Sequence, residues 1–295
     1  MKKVLVFGDA VLDEYIFGEV NRVSPEAPVV ILEYESNKIV LGGACNVATN
    51  IKTLLENDEE IKVHYYGWTS PVITSLLTGL GIPIKETNCE DKDILLKTRY
   101  VSNNHQILRV DTNKKYNKPF FYDFGFIRDY DLIVLSDYCK GTITTETLQK
   151  ILTNSNCPIL FDFKDWSVVY GSFFQRDFKR TILKCNEKEA RISELKSRKP
   201  FIPNLNGIIT LGSRGYEIID GSVHACVKSG NVIDIVGAGD TFIAGMAVNF
   251  LETGNFDIRT MAEFANYCAA EKIRHFGTWA VKREDVEELR NELSR

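Results

Sequence analysis

The sequence predicts an α/β fold: a doubly wound, mostly parallel sheet flanked by helices, with a small β-sheet lid. Three observations carry this. Short apolar runs ending in polar residues (2–8, 131–137, 159–163, 207–211) alternate with helical patterns, the rhythm of strand-helix repetition in a parallel sheet. The stretches 14–20, 29–35 and 38–41 alternate loosely with no helix between them, which predicts antiparallel strands apart from that sheet. Finally, Gly237-Ala238-Gly239-Asp240 forms a tight turn that opens a helical run, 242–250.

In chain order, residues 2–8 read as a buried strand delivering Asp9 and Asp13 at its carboxyl end. Ligands of open parallel sheets sit beyond such ends, so these carboxylates are candidates to bind a polyol; a loop-capping Asp13 is the alternative. Pro25 and Pro28 stiffen the loop 22–28. Gly42 and Gly43 open a helix through Leu55 and allow close approach to a ligand, while Asn46 can donate to and accept from hydroxyls. A strand at 63–67, a helix at 72–80 and a turn at Gly81-Ile82-Pro83 follow.

Residues 94–109 read as a hairpin turning at Asn103-Asn104 that completes the small sheet, giving a lid of about residues 14–41 and 93–111. Its Lys97, Arg99 and Arg109 either meet an anionic substrate or face water. A free strand edge is a liability, so a homodimer closing through the lid is expected. Asp137 ends the strand 131–137 and Lys140 follows it, while Lys164 follows the strand 159–163; a loop lysine is a mobile point charge suited to phosphate. Asn186 and Glu189 have the spacing of a capping-box variant, or of a functional polar pair. A strand at 207–211, a β-ribbon at 218–227, and helices at 258–274 and 283–293 complete the chain.

The Gly-Ala-Gly turn has the physics of an anion site. Its N–H groups approach closely, and the positive end of the helix favours the same charge. Asp240 beside phosphate would be repelled unless it accepts a proton from an attacking hydroxyl, so it is the candidate base. The alternative is a plain N-cap.

The totals bound the function. Among 295 residues, 44% are hydrophobic and 26% charged, and no repeat or linker divides them, which predicts one soluble domain over 1–295. A net charge of −4 excludes a general nucleic-acid or membrane-surface binder. The N-terminal apolar run is broken by Gly8 and Asp9, giving no signal peptide or transmembrane segment, and a cytoplasmic location is expected. Seven cysteines without a CxxC pair, and four unclustered histidines, give no metal cage.

The run from Asp234 to Asp240, followed by Thr241-Phe242, resembles the C-terminal signature of the ribokinase-like (PfkB) sugar kinases. The resemblance implies a ribokinase-like fold, ATP as phosphoryl donor and Mg2+ as cofactor. It gives Asp240 the role of base, and Gly237, Ala238 and Gly239 that of the anion hole. It further implies a nucleotide site at Asn186, Glu189, Thr210, Gly212, Gly215 and Asn266, with Glu189 reaching Mg2+ through water and small residues Ala269 and Ala270 leaving room for adenine. It also implies a monovalent-cation site, taking K+, shaped by Asp234 and Gly277-Thr278.

Within the family, GDAVLDEYIFGEVNRVSPEAPV, GGACNVATNI, the 94–111 hairpin and Leu135-Ser136-Asp137-Tyr138-Cys139-Lys140-Gly141 are similar to the heptose 7-phosphate kinases, with residues 22–28 the most particular. This implies sugar contacts at Asp9, Asp13, Gly42, Gly43, Asn46, Lys97, Arg99, Arg109, Asp137, Lys140 and Lys164. The expected reaction is phosphorylation of O1 of D-glycero-D-manno-heptose 7-phosphate for surface glycan, by a kinase without an adenylyltransferase domain. The alternatives are a related kinase acting on a hexose, hexose phosphate or nucleoside, and a non-catalytic sugar-binding regulator. Three positions depart from the family pattern: Gly67-Trp68-Thr69-Ser70-Pro71 lacks the usual aspartate, Phe163 replaces proline, and Trp279 replaces a small residue.

Overall fold

Runs such as Val4-Leu5-Val6-Phe7 and Leu132-Ile133-Val134-Leu135 are fully buried on both faces, which a strand achieves only in the middle of a layered sheet. The computed structural model describes residues 1–56, 58–85, 95–112, 124–173, 180–193, 205–228 and 230–294. Its central sheet contains β1 (Lys2–Gly8), β4 (Ile61–Tyr66), β5 (Ile84–Lys85), β8 (Leu132–Ser136), β9 (Ile159–Asp162), β10 (Thr181–Asn186), β11 (Asn206–Thr210), β12 (Tyr216–Ile218) and β13 (Val223–His224). The order is β13-β12-β11-β10-β9-β8-β1-β4-β5, parallel except for β12 and β13.

Successive side chains point to opposite faces, so Val4 and Val6 join one core and Leu5 and Phe7 the other. The first core is covered by α1 (Ala44–Leu54), α2 (Pro71–Gly79), α6 (Ala238–Thr253), α7 (Ile258–Lys272) and α8 (Arg283–Leu293). The second is covered by α3 (Thr145–Asn154) and α4 (Trp166–Phe173), with α5 (Glu187–Ser193) alongside. Helix α6 is buried over most of its circumference and begins at Ala238, four residues before its apolar run. Ser70 caps α2 and Pro71 takes its first position, so the departure after Gly67 starts a nine-residue helix. Phe163 packs against Phe161 and Trp166 in the second core, which accounts for an aromatic there.

A second sheet has the order β3-β2-β6-β7. Its strands are β2 (Ala10–Val23), β3 (Val30–Gly43), β6 (Leu96–Ser102) and β7 (His105–Asp111). The short segments expected at 14–20, 29–35 and 38–41 are instead parts of two 14-residue strands. Irregularities at Phe17/Gly18 and Val20/Arg22 keep that ladder continuous. Asn103 and Asn104 turn the hairpin with positive φ values of 50° and 62°, the two-residue turn that matches strand twist. Residues 93 and 94 lie outside the described residues. The ribbon expected over 218–227 is shorter, ending as a strand at His224.

Candidate active site

Asp240 lies in the first turn of α6, 5% exposed, at the junction of the two sheets' loops. Asn46 Nδ2 donates to its Oδ2 at 2.9 Å, and the Tyr138 hydroxyl donates to its Oδ1 at 2.6 Å. Burial, with the charge of Asp162, raises its pKa; the hydrogen bonds from Tyr138 and Asn46 and the Lys184 ammonium pull the other way. A carboxylate so held is oriented and readier to take a proton. Gly237 adopts φ 83° to start the helix, and a Cβ on Gly239 would sit 2.9 Å from Lys184 Nζ, so a side chain there would displace the cation from the helix N-terminus.

Lys184, Asp162 and Tyr138 were not among the expected site residues. Lys184 and Asp162 are register partners on β10 and β9, joined at 2.8 Å with both side chains nearly inaccessible. Lys164 reaches Glu189 at 3.2 Å and Asp162 at 3.5 Å. Burial works against its charge, but Asp162, Glu189 and Asp240 hold its pKa above that of an ordinary lysine. Two ammonium groups stand over the Tyr138 ring, Lys97 Nζ at 5.0 Å and Lys164 Nζ at 5.3 Å from its centroid. Burial and the charges of Asp240 and Asp162 push the phenol's pKa well up, so it remains a donor.

Several expected sugar contacts are already engaged within the protein. Asp9 accepts N–H groups of Tyr138, Lys140 and Thr142 at 2.8, 3.0 and 3.1 Å, and therefore anchors the loop after β8. Asp137 accepts the Cys139 N–H at 2.8 Å, and burial, then the charge of Asp9, push its pKa up to about 7. Asn46 is a positioning residue: Asn50 Nδ2 donates to its Oδ1 at 2.9 Å, which turns its amide N–H2 toward Asp240. Gly42 makes room for Asp13, whose Oδ2 would lie 2.2 Å from a Cβ there, while a Cβ on Gly43 would meet Asp9's carbonyl at 2.5 Å. Lys140 is half-buried in the loop that Asp9 anchors.

The lid cations are divided. Arg99 pairs with Asp13 at 2.5 Å, buried, with its guanidinium 5.2 Å from the Tyr15 ring centroid. Arg109 grips Asp111 through two hydrogen bonds at the surface. Lys97 is half-buried, and burial lowers its pKa despite the opposing pull of Asp13 and Asp240.

On the nucleotide side, Asn186 and Glu189 form a reciprocal capping box at 2.7 and 3.0 Å, and the same Glu189 carboxylate meets Lys164. Thr210 ends β11 with its hydroxyl on the Cys185 carbonyl, followed by a turn in which Gly212 and Gly215 take positive φ. Asn266 is engaged within the protein: its amide donates to the Ala225 carbonyl at 2.8 Å and accepts from the Val227 N–H, standing in for a strand partner where the ribbon stops. Among the described residues, no group of three or more His, Cys, Asp or Glu side chains could hold a metal ion.

The pfkB family carbohydrate kinase pattern matches residues 1–284. The chain belongs to the pfkB family of carbohydrate kinases. It is 28% identical over 317 residues to the bifunctional protein HldE of a Nitratiruptor species, covering 99% of this chain and 65% of that protein. It is 30% identical over 321 residues to bifunctional protein HldE of Helicobacter pylori, covering 99% of this chain and 67% of that protein. The chain thus spans about two thirds of the length of these relatives. Among solved structures, a putative ribokinase from Agrobacterium tumefaciens superposes with a TM-score of 0.75 at 18% identity, covering 100% of this chain and 99% of the other. Arabidopsis thaliana ribokinase complexed with ribose and ATP gives 0.74 at 17% identity, with 98% of both chains covered.

The pfkB kinase is an ATP-dependent sugar kinase with a ribokinase-like fold. No helix among its described residues is long and apolar enough to cross a membrane. Its two sheets meet around Asp240: the central sheet supplies Lys184, Asp162 and the loop of Tyr138, and the lid supplies Lys97.

Proposed function

We propose that this kinase phosphorylates O1 of D-glycero-D-manno-heptose 7-phosphate to the 1,7-bisphosphate, on the way to ADP-heptose for surface glycan. One observation carries the choice of an anionic sugar: Lys97 of the lid stands on the ring of Tyr138, whose hydroxyl reaches Asp240. Arg99 and Arg109 are direct cross-strand partners on β6 and β7, a like-charge pair that costs stability unless anions sit nearby. Asp13 and Asp111 offset part of that cost, and a sugar phosphate would offset more.

In the reaction, the sugar hydroxyl takes the place of the Tyr138 hydroxyl at Asp240 Oδ1, and Asp240 accepts its proton. Asn46 keeps the other oxygen fixed. The N–H groups at Gly237 and Gly239, with the Lys184 ammonium beside Gly239, stabilise charge on the transferring group, and the Ala238 N–H, which donates to the Ile235 carbonyl at 3.2 Å, joins them only if that turn opens. Glu189, whose carboxylate is already met by Lys164 and the Asn186 N–H, would hold Mg2+ through water, in keeping with an ion that needs few protein carboxylates when phosphate and water complete its shell. Bound there, the ion would neutralise phosphate charge.

The lid also supports a homodimer. Val30, Tyr34, Ile39, Leu108 and Val110 are exposed on β3 and β7. As an ATP-using enzyme, the protein would work in the cytoplasm. The deciding experiment is ATP consumption against D-glycero-D-manno-heptose 7-phosphate, sedoheptulose 7-phosphate, fructose, fructose 6-phosphate, ribose and adenosine. Turnover confined to the aldoheptose phosphate is expected; turnover of another sugar alone would replace the heptose assignment.

A further inference from the structure

The resemblance to ribokinase-like enzymes implies a monovalent cation held near Asp234 and the turn at Gly277-Thr278, and the residues present do not fit one. Lys272, the last residue of α7, is 0% exposed, and its ammonium donates to the main-chain carbonyls of Asp234 at 2.9 Å and His275 at 3.2 Å. Converging backbone carbonyls of two loops are the ligands that a dehydrated K+ would take. The carboxylate of Asp234 is also spent, accepting the N–H groups of Val236 and Gly277, each at 2.9 Å. The whole of Asp234 thus staples one loop to the other.

We propose that Lys272 is a tethered substitute for the monovalent cation, holding the loop before the anion hole against the Gly277 turn and making the kinase independent of K+. The position suits the task. Lys272 Cε would lie 3.8 Å from a Cβ on Gly237, so the side chain runs beneath the first residue of the anion hole. The charge adds to the positive end of α6. On the other side, a Cβ on Gly277 would lie 3.2 Å from the Tyr15 ring of the lid, and Phe276 packs edge-on against the same ring at 5.4 Å. Lys272 therefore ties the turn beneath the lid to the loop that leads into catalysis. Trp279, which stands where the family has a small residue, stacks on His275 at 3.6 Å and covers the turn whose carbonyl the lysine holds.

A purely structural lysine would normally keep its charge in water, because burial costs a great deal unless the charge is matched. Burial does press the pKa of Lys272 down to about 8, against the pull of Asp234, which leaves the ammonium form dominant at neutral pH. Removing it would orphan two half-buried carbonyls that another cation could satisfy.

The test begins with unmodified protein in equal concentrations of KCl, NaCl and tetramethylammonium chloride, reading ATP turnover and thermal midpoint. Both should be the same in the three salts. A rise of about tenfold in turnover, or a saturable stabilisation specific to K+, would overturn the proposal. The midpoint needs no sugar, so it separates a failure of this inference from a wrong substrate. Lys272→Ala should lose at least about tenfold in turnover in tetramethylammonium, and regain it, with its thermal midpoint, as K+ or NH4+ saturates the vacated space. Lys272→Met, which fills that space without charge, should lose activity and gain nothing from either ion. Loss in Lys272→Ala that no cation reverses would overturn the proposal. If that variant does not fold, the salt series on the unmodified protein decides.

Discussion

The central sheet and the lid are both rich in apolar residues, but only one of them has finished burying them. Every residue of β8 is buried, whereas every residue of β7 is exposed, with Leu108 at 54% and Val110 at 47%. The central sheet is covered by helices on both faces and is complete within one chain. At roughly 25 cal/mol per Å2, the open apolar area of the lid is free energy still available for association. On the proposed function, the chemistry belongs to the finished sheet and the unfinished one supplies the cations for recognition.

The comparison is tested most severely at Asp240. Asp240→Asn should lower kcat by about a thousandfold while calorimetry still detects ATP binding; surviving turnover would remove it as the base. Next is Arg99→Met, which strands the buried Asp13 carboxylate and should cost ~3 kcal/mol in urea unfolding. A negligible loss would mean that the pair is already hydrated. Asp137 belongs to the finished side. Its folded pKa, about 7, exceeds the unfolded value, so the native state holds an extra proton and loses stability as pH rises from about 4 to 7. Asp137→Asn should flatten that slope and gain ~2 kcal/mol at pH 8, with parallel pH profiles in both proteins the contrary result. Lys97→Met should raise KM for the sugar phosphate about tenfold with kcat nearly unchanged; an equal fall in kcat would put the lid into the chemical step. Smallest in folding stability is Leu108→Glu, within about 0.5 kcal/mol, yet light scattering should show a dimer becoming a monomer. Unmodified protein that is already monomeric at micromolar concentration would end the dimer proposal.

Much of the finished sheet was legible because its signals are local. Continuous apolar runs and the Gly-Ala-Gly-Asp turn each report on their own few residues, as the paired Asn turn does in the lid. The central site was less legible because it depends on register. Lys184 and Asp162 are each a charge inside an apolar strand, at Ile182-Leu183-Lys184-Cys185 and Leu160-Phe161-Asp162-Phe163, and a charge with no visible reason in such a run was the available clue. Only the pairing of β9 with β10 shows that they neutralise one another. Asp9, Asn46 and Asn266 read as ligand-facing in the sequence; in place Asp9 and Asn266 hold backbone groups and Asn46 holds Asp240, contacts that no local pattern announces. The lid's two long strands were read as fragments because Ser36 and Asn37 look like a break, although in place they pair with Phe17 and Ile16.

The hydrogen bond from Asn46 to Asp240 joins positions 194 residues apart, and Asn50 links the same helix to Thr241 and Val281. During synthesis, therefore, residues up to Val281 must emerge before Asp240 can be held in this geometry. A chain cut before Asp240 would carry the lid and its cations without the proposed base, so on this reading recognition is synthesised before chemistry.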